Sequence, residues 1–157
     1  MIKRITLFYL FLLSNFVILD LARANPNYNS NIKLTVVVDG IRNQKGQICL
    51  RIYNNEQGFP LTDTSEEQSS CVRIQGTSIK KEFYGLKPGT YAVAVVDDQN
   101  GDYQLNRNFL GIPQEGFGVS NNPTISIKTG IPKFQDASFS LKTNKTIKIA
   151  IKYSLDP

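Results

Sequence analysis

The chain contains no histidine at all, and only two cysteines in 157 residues. Without imidazole there is no His-based triad, no His general base and no His-ligated zinc or copper site. Two thiols cannot build a structural zinc site unaided. Also lacking is any stretch of about ten residues with apolar positions at helical spacing. Charge is scarce too. The formal net charge is +5, but Lys3, Arg4, Arg23 and Asp20 lie in an N-terminal segment that reads as a signal, and without it the value is +3. So small a basic excess gives no argument for nucleic acid as a partner.

The N-terminal segment has the parts of a secretory signal. Lys3 and Arg4 precede residues 5–19, which are almost wholly apolar apart from Ser14 and Asn15. Ala22-Arg23-Ala24 is an A-x-A cleavage site, so the mature chain is expected to begin at Asn25. A retained anchor helix is the alternative, but the run is short for a membrane span. Cleavage leaves a polar leader at 25–31 and one domain at 32–153, large enough to bury roughly two thirds of its unfolded surface. The product is expected to be exported, periplasmic or extracellular, with no stable membrane insertion once the signal is gone.

What remains is a series of short alternating runs punctuated by Gly, Pro and Asn. Strands are expected at 32–39, 47–53, 71–75, 79–84, 90–96, 124–128, 137–142 and 146–153. Residues 43–46 read as a turn, and 54–70 as a polar connection without strand pattern. Seven to eight strands at this spacing suit a single antiparallel β-sandwich. Its core would draw on Leu34, Val36, Val38, Ile48, Leu50, Ile52, Val72, Ile74, Tyr91, Val93, Val95, Phe139, Ile147, Ile149 and Ile151. Lysines alternate with these along the last strand, as on an edge strand kept soluble and unpaired.

Parity places Cys49 and Cys71 on the outward face of neighbouring strands, since Ile48, Leu50 and Ile52 point inward, as do Val72 and Ile74. In an oxidising compartment the two are expected to form a disulfide. A catalytic thiol pair would want CxxC spacing and a neighbouring base.

The stretch 97–122 is crowded with Asp, Asn, Gln and Gly, too long for a hairpin turn and without helical periodicity. Three readings fit it. In the first, Asp98, Asn100 and Asp102, with Gln104 and Asn106, chelate calcium weakly; Tyr103 stands where an EF-hand has its turn Gly, and Phe109 where the closing Glu belongs. In the second, these residues build turns by local side-chain hydrogen bonds. In the third, Asp97, Asp98 or Glu115 act as a carboxylate pair, as in glycoside hydrolysis.

Phe83-Tyr84-Gly85-Leu86-Lys87-Pro88-Gly89-Thr90-Tyr91 is an F-x-x-L-x-P-G-x-Y corner, with Pro88 fixing φ, Gly89 permitting positive φ, and Phe83, Leu86 and Tyr91 plugging the crossing. Similar corners recur in transthyretin (prealbumin)-like and carboxypeptidase-regulatory-like sandwich modules. Three further blocks accompany it: Val38-Asp39-Gly40-Ile41-Arg42-Asn43 with Lys45-Gly46-Gln47-Ile48; Asn108-Phe109-Leu110-Gly111-Ile112-Pro113 running on to Asn122; and Gly130-Ile131-Pro132-Lys133-Phe134. In this order they resemble the uncharacterised bacterial family known as domain of unknown function 2141. That resemblance implies an exported bacterial β-sandwich of transthyretin-like type and no established activity. Members of the family commonly carry His where this chain has Asp97. The hydrolase among transthyretin-like folds leans on histidines that are absent here.

The expectation drawn from all this is an exported, non-catalytic module with a binding or structural role. The contact residues would be Tyr103, Phe109, Glu115, Phe117, Asn121 and Asn122, with Tyr103, Phe109 and Phe117 exposed toward a carbohydrate or cell-envelope protein. A small carboxylate-dependent hydrolase is the alternative.

Overall fold

A computed structural model describes residues 31–42, 44–126 and 128–155. The signal at 1–24, the leader up to residue 30 and Asn43 lie outside the described residues. Eight strands and one helical turn run in the order β1 (Ile32–Asp39), β2 (Gln47–Tyr53), β3 (Glu66–Arg73), β4 (Ser78–Leu86), β5 (Gly89–Asp98), β6 (Gly116–Val119), α1 (Phe134–Ala137), β7 (Phe139–Leu141) and β8 (Lys145–Ala150). They form two sheets, β4-β1-β8 and β3-β2-β5-β6, with β7 also paired to β5. The fold is an all-β sandwich, as expected. One pair departs from the antiparallel rule: β1 and β8 run parallel.

The inward faces follow the alternation. Leu34, Val36 and Val38 of β1 meet Ile48, Leu50 and Ile52 of β2 and Val93 and Val95 of β5, all fully buried. Tyr91, Ile74, Ile149 and Ile151 join them, whereas Val72, Phe139 and Ile147 are only partly buried at the margin. Alternation missed a second cluster on the far side of the larger sheet. Tyr53, Ala92, Ala94, Phe117, Val119, Ile125 and Ala137 pack there, with Phe59, Leu105, Phe134 and Leu155 against them. The small alanines of β5 let connecting segments lie close on that face. For this reason Cys49, expected to face outward, is buried, bounded by Pro60, Leu61, Leu105 and Tyr103.

Four local assignments need correction. Glu66–Ser70, expected to be connection, belongs to β3, a polar edge strand whose Glu66 meets Arg51 across the pair at 3.5 Å. Gly116–Val119, expected to be loop, is β6; its two glycines hide the alternation. The expected strand at 124–128 is irregular in its described residues, with a single bridge residue at Ser126, whose amide donates to Thr129 Oγ1 at 2.9 Å while the Thr129 amide donates to Ser126 Oγ at 3.1 Å. At the F-x-x-L-x-P-G-x-Y corner the positive φ falls on Gly85, at 77°, rather than on Gly89. At Gly89 a Cβ would sit in a tight contact, 3.2 Å from the Tyr91 ring. The Tyr91 hydroxyl closes the corner by donating to the Lys87 carbonyl at 2.9 Å.

Cys49 and Cys71 are directly opposite in the β2–β3 register and form a disulfide. It closes the 54–65 excursion onto the sheet. Reduction should cost about 3 kcal/mol and lower Tm by roughly 10 °C. Calorimetry with and without dithiothreitol, with thiols counted by mass, checks this; an unchanged Tm in the dithiol form would contradict it.

Candidate functional site

Asp97 and Asp98 are consecutive on β5 and both fully buried, so they point to opposite faces of the sheet. Asp97 Oδ2 accepts a short hydrogen bond from the Tyr153 hydroxyl. That hydroxyl also accepts the Arg42 amide at 3.1 Å, and the Arg42 guanidinium lies over the Tyr153 ring at 4.9 Å. Burial, reinforced by the Asp97 carboxylate, pushes the Tyr153 phenol up to about 12. The ring has room only because residue 116 is glycine. A Cβ at Gly116 would lie 2.6 Å from both Tyr153 Cε1 and Ile151 Cγ2.

On the opposite face, Asp98 organises the start of the loop. Its Oδ1 accepts the amides of Gly101 at 2.7 Å and Asp102 at 3.2 Å, and its Oδ2 accepts the Tyr103 amide at 3.1 Å and Gln47 Nε2 at 3.0 Å. Positive φ at Gly101 (79°) and Tyr103 (63°) turns these amides inward. The result is an anion nest filled by the chain's own carboxylate. Glu115, also buried, ties down the other side, with Oε1 accepting the Gln99 amide and Oε2 the Asn106 amide, each at 3.0 Å.

The expected calcium ligands are thus arranged around N–H donors. Asp102 accepts from Asn106 Nδ2 at 2.9 Å, the Gln104 amide at 2.9 Å and Asn100 Nδ2 at 3.0 Å, and these bonds hold its carboxyl below the usual range. Asn100 Nδ2 also donates to Asn106 Oδ1 at 3.0 Å. Among the described residues no group of three or more His, Cys, Asp or Glu is placed to hold a metal ion. Backbone amides meet the carboxylates of Asp98 and Asp102, and Asp97 faces the other way from Asp98. The three candidate catalytic carboxylates have separate partners: Asp97 the Tyr153 hydroxyl, Asp98 the nest, and Glu115 two backbone amides.

Beyond the nest the chain makes a small hairpin. The Gln114 amide donates to the Asn106 carbonyl at 2.8 Å, Arg107 bridges Pro113, and the Asn108 amide donates to Ile112 O at 3.0 Å. At the tip, Asn108 Oδ1 accepts the amides of Leu110 and Ile112, the Gly111 amide donates to Asn108 O, and Gly111 adopts φ 77°. This is a four-residue turn, Asn108–Gly111, whose last residue is a left-handed glycine, a common hairpin closure. It presents two apolar side chains outward: Phe109 is 95% exposed and Leu110 67%.

Behind the tip lies an apolar cavity of about 130 Å³ walled by Leu110, Ile112, Pro113, Phe117, Ile125, Ile131 and Leu155. A smaller one of about 50 Å³, reached past Glu115, Lys152 and Tyr153, adjoins it. Phe117, expected to be exposed, is buried as the floor of both, pinned by reciprocal 2.9 Å backbone hydrogen bonds with Lys152. Tyr103 is exposed, with its carbonyl held by Arg51. Asn121 and Asn122 are staples. Both adopt positive φ; Asn121 Nδ2 donates to the Asp136 and Ser138 carbonyls, and Asn122 exchanges hydrogen bonds with Lys148 O and the Ala150 amide. Sequence reasoning missed the hairpin tip as a unit and the walls Ile125, Ile131 and Leu155. Asn108 with Gly111 around two apolar residues was the signal for the first.

Glu115→Gln tests the loop's dependence on one side chain. A glutamine has a single acceptor oxygen, so either the Gln99 or the Asn106 amide loses its partner. The cost should be about 1–3 kcal/mol. Hydrogen exchange at those two amides should speed by at least roughly tenfold, while exchange in β2 stays near its original rate; unchanged exchange at both would count against this role.

Neither the curated proteins nor the solved structures contain a match to the chain. Residues 36–149 match a family described as uncharacterized protein conserved in bacteria (DUF2141). The matched span runs from the middle of β1 to the end of β8 and so takes in both sheets, the Asp98 nest, the hairpin and the Asn121–Asn122 staples. This chain is therefore a member of the DUF2141 family of bacterial proteins.

Proposed function

We propose that the protein is an exported, non-catalytic binding module, acting at the periplasm or cell surface through the hairpin 106–114. One observation carries the reading. Four hydrogen bonds at Asn108 hold Phe109 and Leu110 in solvent, although a flexible loop could have folded both back onto the nearby apolar surface. A rigid exposed aromatic beside a cavity is the usual form of a recognition surface, for a carbohydrate or for an envelope protein.

Export is supported by the A-x-A site and by the disulfide, which belongs in an oxidising compartment. No helix among the described residues is long and apolar enough to cross a membrane. The non-catalytic reading is supported by the engagement of Asp97, Asp98 and Glu115 with separate donors. An N-terminus at Asn25 on the native protein agrees with export; Met1 there would contradict it.

Two measurements test the module. Phe109→Ser with Leu110→Ser should leave Tm within about 2 °C, because both side chains are exposed. The same double variant should lose most of the binding seen on glycan arrays or in photo-crosslinking to envelope fractions. Undiminished binding by the variant would end the reading.

Millimolar calcium should leave Tm in place, since the loop's oxygens already accept N–H donors. A rise that disappears in Asp102→Ala would support the cation reading, with affinity in the weak range of about 10⁻⁴–10⁻³ M.

A further inference from the structure

We infer that the outer edge of β3 pairs with the same edge of a second copy of this chain, antiparallel and two-fold symmetric about Ser70, so that the larger sheets of two molecules join into one. This pairing is independent of the hairpin and of any ligand it takes.

A sheet edge leaves a row of unpaired N–H and C=O groups that must be guarded or used. The two sheets end in β4, β8, β3 and β6, and three of these are guarded. On β8 the Asn122 side chain stands in for a neighbouring strand: its Nδ2 donates to Lys148 O at 3.0 Å and its Oδ1 accepts the Ala150 amide at 2.8 Å. On β4, Gln68 Nε2 donates to the Tyr84 carbonyl at 2.9 Å, and the strand carries Lys80 and Lys81. The chain after β8 crosses β6 through Phe117 and Lys152. Strand β3 has no such guard. Among the described residues, the backbone of 67–73 has no hydrogen-bond partner beyond its pairing with β2, and the strand holds no Lys, Pro or Gly. Its register against β2 shifts only where Glu67 is passed over, which leaves 68–73 straight. The Cys49–Cys71 bridge pins that run to β2. The edge is therefore a fixed template for another strand.

Parity and charge choose the occupant. Residues directly opposite in an antiparallel pair project to the same face, so two copies of β3 can meet only with the two-fold axis on a residue. Centred on Ser70, Gln68 opposes Val72 and Ser69 opposes Cys71, and small serines lie at the axis. Arg73 of each copy then arrives beside the Glu66-Glu67 pair of the other. Centred one residue either way, Arg73 meets serine instead. Arg73 and Glu67 are both exposed, and neither has an ion-pair partner among the described residues. Glu67 accepts only the neutral Asn54 Nδ2, at 2.7 Å, and so keeps its charge. A strand with acids at one end and a cation at the other complements itself when antiparallel and repels itself when parallel. A uniformly acidic or basic strand from another protein would be opposed at one end.

Sedimentation velocity of the mature chain should show a reversible monomer–dimer equilibrium, with dimer accumulating as concentration rises toward about 1 mM, as suits an interface below the standard size. Hydrogen exchange should slow by at least roughly tenfold at amides within 68–73 as the dimer forms. Glu67→Lys and Arg73→Glu, both at exposed positions, should each weaken the dimer by roughly tenfold, because each acts at two symmetric sites. The two substitutions together exchange the charges and should return the affinity to within about threefold of the original.

A chain that stays monomeric to that concentration would overturn the inference. So would a dimer indifferent to the single substitutions, a combined variant that fails to recover, or exchange protection that falls on β8 or the hairpin. Protection of 68–73 that appears only when an envelope extract is added would give the edge to a different protein and equally overturn the pairing of two copies.

Discussion

The closure of the sandwich depends on the crossing of β6 with the chain that follows β8. Phe117 and Lys152 exchange two backbone hydrogen bonds there, joining the end of the three-stranded sheet to the edge of the larger one. Two backbones can approach so closely only where side chains are absent. At Gly118 a Cβ would meet the Ala150 carbonyl oxygen at 2.8 Å, and at Gly116 it would meet the Tyr153 ring. The Gly116-Phe117-Gly118 triplet is therefore a steric requirement with a fixed outcome. Its glycines admit the last segment, its phenylalanine becomes the floor of the cavity, and Tyr153 is delivered to Asp97.

The segment between β5 and β6 is held by this crossing and by two carboxylates. Asp98 fills its nest at the start of the loop, and Glu115 grips the two ends of the 99–106 segment. A buried carboxylate without donors would be costly, and here each is surrounded by N–H groups, which is how a buried charge becomes tolerable and rigidifying. The polar segment is thereby a rigid platform. The hairpin 106–114 stands on it, so the tip that presents Phe109 and Leu110 is positioned by charge-assisted hydrogen bonds and not by apolar burial of its own.

That construction separates stability from recognition. The core between the sheets is continuous and mostly aliphatic, with Phe83 and Tyr91, and Phe109 and Leu110 of the tip are not part of it. The cavity behind the tip borrows its walls from four separated parts of the chain: the hairpin, β6, the 125–131 turn and Leu155.

The sequence by itself determined the class and the inner face. Period-two alternation placed Leu34, Val36, Val38, Ile48, Leu50, Ile52, Val93 and Val95 correctly, because one face of each strand is buried in a sandwich and a slip of one residue would expose it. The cysteine pair was legible for the same reason, and family membership was legible in the motif blocks. Tertiary structure decided the rest. Alternation cannot say that an outward face is itself covered, so the burial of Cys49 and Phe117 waited on where the 54–65 segment, the 125–131 turn and Leu155 were laid. Oxygen-rich spacing cannot say whether a carboxylate meets a cation or an amide; Asp98 and Asp102 met amides because Gly101 and Tyr103 turned left-handed. The apolar hole had no sequence signature at all, since its walls are brought together only when β6 and the chain beyond β8 cross.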